Sequence, residues 1–314
     1  MTRTTHRTLL LLAAGGAMLA LSACSSADPL AESADTGASG PASGSGAGDT
    51  LVVGSQDYYS NEILAEVYAQ ALEGAGYTVQ RDLRIGQREV YMPEIQDGSI
   101  DVFPEYTGNL LQYLDPDATA TGADEVHAAL ADALPGGLRA LDQAAATDQD
   151  SYVVTSAFAE EHGGLSSIAD LAGIDGLVLG GNSELETRPY GPQGLASVYG
   201  VTVTFTPVED SGGPLTVKAL RDGDIQLADI YSADPVLAQG DLTVLDDPKS
   251  MFLASHVVPI VSSRVDQGAA DALDRVSAAL TPDDLIAMNA RSVNEQLPAA
   301  RIAGDWLAEK GLAG

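Results

Sequence analysis

The chain is 314 residues long, enough for two lobes and a sizeable core. Hydrophobic residues make up 45% and charged residues 19%, with 15 Lys and Arg against 45 Asp and Glu for a net charge of -30. That acidity excludes a nucleic-acid binder and disfavours docking on anionic headgroups through protein charge, while a single Cys excludes an internal disulfide and any multi-cysteine metal site.

The N-terminus reads as a processing signal. Arg3, His6 and Arg7 form a basic start, and residues 9–21 are an apolar run too short for a comfortable membrane span. The run ends in Leu21-Ser22-Ala23-Cys24, which resembles a bacterial lipobox. Residues 1–23 are therefore expected to be a signal peptide, with Cys24 lipidated after cleavage. Residues 24–49 are read as the lipidated Cys and a flexible tether of Ala, Ser, Gly, Asp and Pro without an aromatic. The folded body is then expected from about Leu51, on the outer face of the cytoplasmic membrane.

Residues 51–54 form a short apolar run ending in glycine, the pattern of a buried parallel strand. Ser60-Asn61-Glu62 starts a helix in which Ile63, Leu64, Val67, Tyr68, Ala71 and Leu72 recur at helical spacing, and Gly74 and Gly76 stop it. Residues 77–85 alternate as a strand, 89–96 make a short helix broken at Asp97-Gly98, and 100–106 make another strand. This order predicts a mostly parallel sheet covered by helices. Residues 124–134 form a helix with Val126, Leu130 and Leu134 inward, and 150–154 read as a strand leaving the first lobe.

The pattern recurs. Leu177-Val178-Leu179-Gly180 matches Leu51-Val52-Val53-Gly54, and a helix is expected from there to Tyr199-Gly200. A strand over 201–208 and a short helix ending at Asp222-Gly223 follow. Ile225 leads to Tyr231 as Ile100 leads to Tyr106, with the same spacing from the Asp-Gly turn in both copies. After an apolar strand over 257–261 the tail is helical: 266–280, 283–289 capped by Thr281-Pro282, and 298–310 with Ile302, Trp306 and Leu307 packed inward. The tail is read as returning to the first lobe. Residues 50–150 and 256–314 then make lobe 1, residues 151–255 make lobe 2, and two crossings form a hinge beside a cleft.

In open α/β sheets, ligands sit beyond the carboxyl ends of the strands. Tyr106 and Tyr231 occupy such ends, one in each lobe, and Tyr152 lies near the first crossing. Tyrosine faces suit a quaternary ammonium group, which has no N–H to donate, at ~0.5–2 kcal/mol each. Micromolar affinity needs ~8 kcal/mol, so polar anchors must contribute. Asp150 offers negative charge near the cation, Arg188 can pair with a ligand carboxylate, and Gln56 and Asn109 are donors at strand ends. Tyr58, Tyr59 and Tyr91 are assigned to packing or to the cleft rim. No Gly-x-Ser-x-Gly elbow, His-Glu-x-x-His or phosphate loop is present, so the chain is read as a binding protein rather than an enzyme, without cofactor or metal.

Val53-Gly54-Ser55-Gln56, the run from Gly98 to Asn109 with its Glu105-Tyr106-Thr107-Gly108 element, and Asp229-Ile230-Tyr231-Ser232-Ala233-Asp234 carry a family resemblance. Over about residues 50–312 the chain resembles the osmoprotectant-binding lipoproteins of ABC importers, the glycine betaine, choline and carnitine binders. The resemblance implies a two-lobed α/β fold of the second periplasmic-binding class that closes on its ligand. It implies capture of a quaternary-amine osmoprotectant and delivery to ABC permease and ATPase subunits, by a monomeric body held to the membrane only through lipid. The family's cage tyrosines map onto Tyr106, Tyr152 and Tyr231, and its polar contacts onto Gln56, Asn109, Asp150 and Arg188. Its fourth cage tyrosine is replaced by Ser255, with His256 next, expected either to take the lost wall's place or to hydrogen-bond a new group. The family's Gly-Gly-Thr element reads Gly86-Gln87-Arg88. These departures leave open a larger amino-acid-derived betaine of the ergothioneine kind, and a surface lipoprotein without a transport role stands as a separate alternative.

Overall fold

The computed structural model describes residues 50–314; the expected signal peptide, the lipidation at Cys24 and the tether lie outside the described residues. Among the described residues no helix is long and apolar enough to cross a membrane.

The chain opens with β1 (Leu51–Gly54), α1 (Tyr59–Gly74), β2 (Val79–Asp82), α2 (Arg88–Asp97) and β3 (Val102–Tyr106). Next come α3 (Thr107–Leu114), α4 (Ala123–Ala133) and β4 (Leu138–Ala140). The second half holds β5 (Asp150–Thr155), α5 (Ser156–Glu161), β6 (Val178–Gly181), α6 (Pro192–Gly194), β7 (Thr204–Pro207), α7 (Pro214–Asp222), β8 (Leu227–Tyr231) and β9 (Leu242–Val244). The chain closes with β10 (Val257–Ser262), α8 (Gln267–Ala279), α9 (Pro282–Glu295) and α10 (Ala299–Lys310).

Two five-stranded sheets form, in the orders β2-β1-β3-β10-β4 and β7-β6-β8-β5-β9. The two orders are topologically equivalent. In each, three parallel strands from βαβ units meet one antiparallel strand that has just crossed from the other sheet, β10 against β3 and β5 against β8. Strand β5, read as leaving the first lobe, is an inner strand of the second sheet, with Val153 and Val154 buried between β8 and β9.

Helix α1 buries all six apolar residues of its predicted stripe. They pack with α8–α10 over one face of the first sheet, where Trp306 and Ile302 are also buried. The other face is covered by α2–α4 through Met92, Leu110, Leu111, Val126 and Leu130. Thr281 and Asp284 form a capping box at the start of α9, with Pro282 in the first turn.

The second copy departs from the first between Gly181 and Gly200. No single helix forms there. A 3-10 turn (Ser183–Thr187), α6 and a π-turn (Leu195–Tyr199) replace it. Pro189 and Pro192 remove two backbone donors that a continuous helix would use. Gly191 and Gly194 let the loop fold on itself: a Cβ at either would lie 2.0 Å from a backbone carbonyl, of Leu185 and Pro189 respectively.

The two crossings lie side by side. Val257 donates to the Ala146 carbonyl (3.0 Å) and Ala144 donates to the Val257 carbonyl (2.8 Å). This paired ribbon is the connection on which two lobes can hinge.

Candidate functional site

The carboxyl ends of the parallel strands of both sheets face one cavity. Four tyrosines line it: Tyr58 and Tyr106 from the first lobe, Tyr190 and Tyr231 from the second. The Tyr58 hydroxyl donates to that of Tyr106 (2.6 Å), and the Tyr58 and Tyr231 rings meet across the lobes at 5.3 Å. Burial raises the pKa of all four phenols, so they stay neutral.

Tyr106 and Tyr231 thus stand where the strand-end argument puts them. Tyr152 does not. It is fully buried behind the cavity, its hydroxyl donating to the Tyr190 carbonyl (2.5 Å) and its ring against Phe252 (5.2 Å). It supports Tyr190 instead of forming the wall itself. Tyr58, assigned to packing or rim, is a wall. Tyr190, absent from the reading of the sequence, is another.

Gln56 follows β1 into the cavity, buried, and its Nε2 has no hydrogen-bond partner among the described residues. Asn109, on the first turn of α3, is locked in place. Its amide nitrogen donates to Asp150 across the lobes and to the Tyr190 hydroxyl (3.2 Å), and its carbonyl accepts from Ser255 Oγ (2.5 Å). Ser255 is buried behind Asn109 and is not among the lining residues, so the position of the missing tyrosine is no gap in the wall. His256 also falls outside the lining: its Nδ1 sits 2.9 Å from the Ala144 carbonyl on the crossing ribbon. Its role is to join the two crossings.

Two arginines line the cavity, and each already has a carboxylate. Arg188 donates from Nη1 (2.7 Å) and Nη2 (3.2 Å) to Glu89 of α2, across the lobes. Arg88 holds Glu105 through Nε (2.8 Å) and Nη2 (2.9 Å), with Tyr91 and the Tyr106 amide completing the Glu105 shell. Arg188 therefore serves as an interlobe tie in this arrangement, and the carboxylate clamp expected of it would compete with Glu89.

Four further carboxyls line the cavity without a cationic partner among the described residues: Asp148, Asp150, Glu184 and Asp229. Asp148, on the first crossing, accepts from Ser60 Oγ (3.1 Å) and the Ala233 amide (2.9 Å), yet burial pushes its pKa up to about 7. Burial also raises that of Glu184, which accepts from Asn182 (3.2 Å). Burial first, and the neighbouring Asp150 second, hold the Asp229 carboxyl well above the carboxylate range. Asp150 is the carboxyl expected here from the sequence; Asp148, Glu184 and Asp229 are not, because acidic residues are so frequent in this chain that composition singles out none of them.

Residues 49–309 match the family described as the substrate-binding domain of the ABC-type glycine betaine transport system. A glycine-betaine-binding protein of Pseudomonas aeruginosa is 26% identical over 287 residues, covering 86% of this chain and 91% of that protein. An apo structure of YehZ from Escherichia coli superposes with a TM-score of 0.61 at 25% identity, covering 84% of this chain and 99% of that one. A structure named as a glycine betaine/carnitine/choline ABC transporter gives a TM-score of 0.67 at 17% identity, covering 84% and 100%. The chain belongs to the family of substrate-binding domains of ABC-type glycine betaine transport systems.

Proposed function

We propose that this protein captures a small quaternary amine between its lobes and presents it to an ABC importer, with Tyr58, Tyr106, Tyr190 and Tyr231 as the cation's walls. As a substrate-binding protein of this family it works outside the cytoplasm with a permease and an ATPase. The observation that carries the ligand reading is the combination lining one cavity: four neutral phenol rings and four carboxyls without a cationic partner among the described residues, while both arginines are already paired.

The magnitudes are consistent. Four aromatic faces contribute ~2–8 kcal/mol in total at ~0.5–2 each. A carboxylate about 4 Å from the cation adds up to ~4 kcal/mol at an effective dielectric of about 20. Together these reach micromolar affinity, which needs ~8 kcal/mol. The surplus of carboxyls favours a ligand of net positive charge such as choline over a zwitterion. The larger-betaine alternative rested on a gap at Ser255. With Ser255 behind Asn109, that motive is gone.

Calorimetric titration with glycine betaine, choline, carnitine and ergothioneine, with proline as control, tests the reading. A trimethylammonium compound is expected to bind saturably, and Tyr106→Ala and Tyr231→Ala are each expected to weaken it at least about tenfold, or ~1.4 kcal/mol. Silence across the panel from folded protein, or unchanged affinity in both variants, overturns it.

A further inference from the structure

Asp229 stands beside Asp150 in the site, and its position follows from strand register. Strands β5 and β8 are antiparallel, with Asp150 opposite Tyr231 and Tyr152 opposite Asp229. Residues opposite and diagonal in such a pair project from the same face of the sheet. Asp150 and Asp229 are diagonal neighbours on the cleft end of that face, and both line the cavity. Tyr152 lies beneath them.

The pair differs from an ordinary acidic cluster in what it lacks. Asp229 is only 7% exposed, and its Oδ1 has no hydrogen-bond partner among the described residues. Gln56, from the other lobe, is 6% exposed and leaves Nε2 equally unpartnered in the same cavity. A buried acceptor and a buried donor, both unpaired and both facing one space, point to a ligand that carries positive charge at one end and an acceptor at the other.

Two neighbouring buried carboxyls resist ionising together. The groups around the pair do not relieve this. Glu184, from the 3-10 turn after β6, adds negative charge, and Asp148, from the crossing, is a further buried carboxyl that brings no cation. Asp247 lies beyond Tyr152, already accepting from Tyr199 and from the Phe252 amide (2.7 Å). The cations on this side, Arg188 and Arg88, are held by Glu89 and Glu105. The facing phenols of Tyr190 and Tyr231 are neutral, and the Asn109 amide donates to Asp150 and to the Tyr190 hydroxyl.

We propose, resting on the reading of the cavity as a cation site, that Asp150 and Asp229 form one cation receptor in which Asp229 carries a proton when the site is empty and loses it to solvent when the ligand's cation enters. The ligand's charge replaces the proton's. Asp229 is then ionised beside one positive group, and the proton passes to buffer. Affinity consequently rises with pH, by tenfold per unit where a full proton is released.

The test is calorimetry of the protein with choline chloride at about pH 6, in two buffers of different ionisation enthalpy. Close to one proton released per choline is expected, falling to none in Asp229→Asn, which keeps the shape of the side chain. Infrared absorption of the unliganded native protein supplies a second readout that does not depend on the variant folding. Protonated-carboxyl absorption of two groups, Asp148 and Asp229, is expected, and choline should remove the share of one. Choline binding without proton release overturns the proposal, and so does a release that survives Asp229→Asn, which would assign the proton to another carboxyl such as Asp148. If no quaternary amine binds, the transport reading falls and the release step falls with it. Absorption of two such carboxyls in that case separates this failure from a failure of the pair to hold a proton, which would leave Asp148 alone.

Discussion

Asp148 shows what a single buried carboxyl contributes to this site and what it costs. It lies on the first crossing, 4% exposed, and ties α1 to the turn after β8 through Ser60 and Ala233. Those two hydrogen bonds favour its ionised form, but burial outweighs them and raises its pKa from 3.8 to about 7. The unfolded chain ionises this group at its ordinary pKa, while the native state resists doing so. Its contribution to stability is therefore full below about pH 4 and declines as pH rises towards 7. The whole shift corresponds to at most ~4 kcal/mol at 1.36 kcal/mol per unit. Asp148→Asn removes the titration and can still accept one hydrogen bond and donate another. Urea unfolding is expected to show the variant more stable than wild type by ~1–4 kcal/mol at about pH 8 and little different at about pH 4. A difference independent of pH would show that the carboxyl is not held in its neutral form.

The loop from Asn182 to Gly200 is where the second lobe gains its own cavity wall. Tyr190 reaches the cavity because the chain doubles back at Gly191 and Gly194, each within 2.0 Å of a carbonyl if it carried a Cβ. Gly191→Ala is expected to cost ~1–3 kcal/mol by overpacking and to weaken ligand binding by displacing Tyr190. Gly136→Ala, with open space around it, should change neither. Thermal unfolding alongside calorimetry checks both, and an unchanged affinity in Gly191→Ala would remove Tyr190 from the wall. This element also marks where the sequence stops being legible. The α1 stripe is periodic, so Ile63 to Leu72 could be read as a buried helix face. Tyr106 and Tyr231 could be read because they end buried strands after matching Asp-Gly turns. Tyr190 sits between two prolines in an aperiodic segment whose path is set by close backbone contacts, and no spacing rule locates it. Tyr152 misled for the opposite reason: it starts a strand near the crossing, but the pairing of β5 with β8 and β9 places its ring behind the cavity.

At the scale of the whole molecule, the arrangement in which the lobes meet depends on few polar ties outside the hinge. The Arg188–Glu89 pair spans the cleft from the loop after β6 to the start of α2, with Arg188 11% and Glu89 49% exposed in their side chains. Glu89 is not among the cavity-lining residues, so changing it alters lobe closure without altering the wall. A pair this exposed is worth ~0.2–1 kcal/mol, which biases a two-state open–closed equilibrium by about 1.5- to 5-fold. Glu89→Gln is therefore expected to increase the radius of gyration of the unliganded protein in solution scattering and to weaken ligand binding by the same modest factor. Because the closed state is the one that contacts ligand from both lobes, the loss should appear mainly in the dissociation rate. At about 1 M salt the screening length falls to about 3 Å, and wild type should converge on the variant. A variant with unchanged scattering and affinity at low salt would assign closure to the crossing ribbon and the other interlobe contacts, Asn109 with Asp150 and Tyr190, Tyr58 with Tyr231, and Tyr59 with Asp234. An affinity loss well beyond fivefold would mean that Glu89 also steers Arg188 within the cavity, since freeing Arg188 there would set its positive charge against the ligand's own.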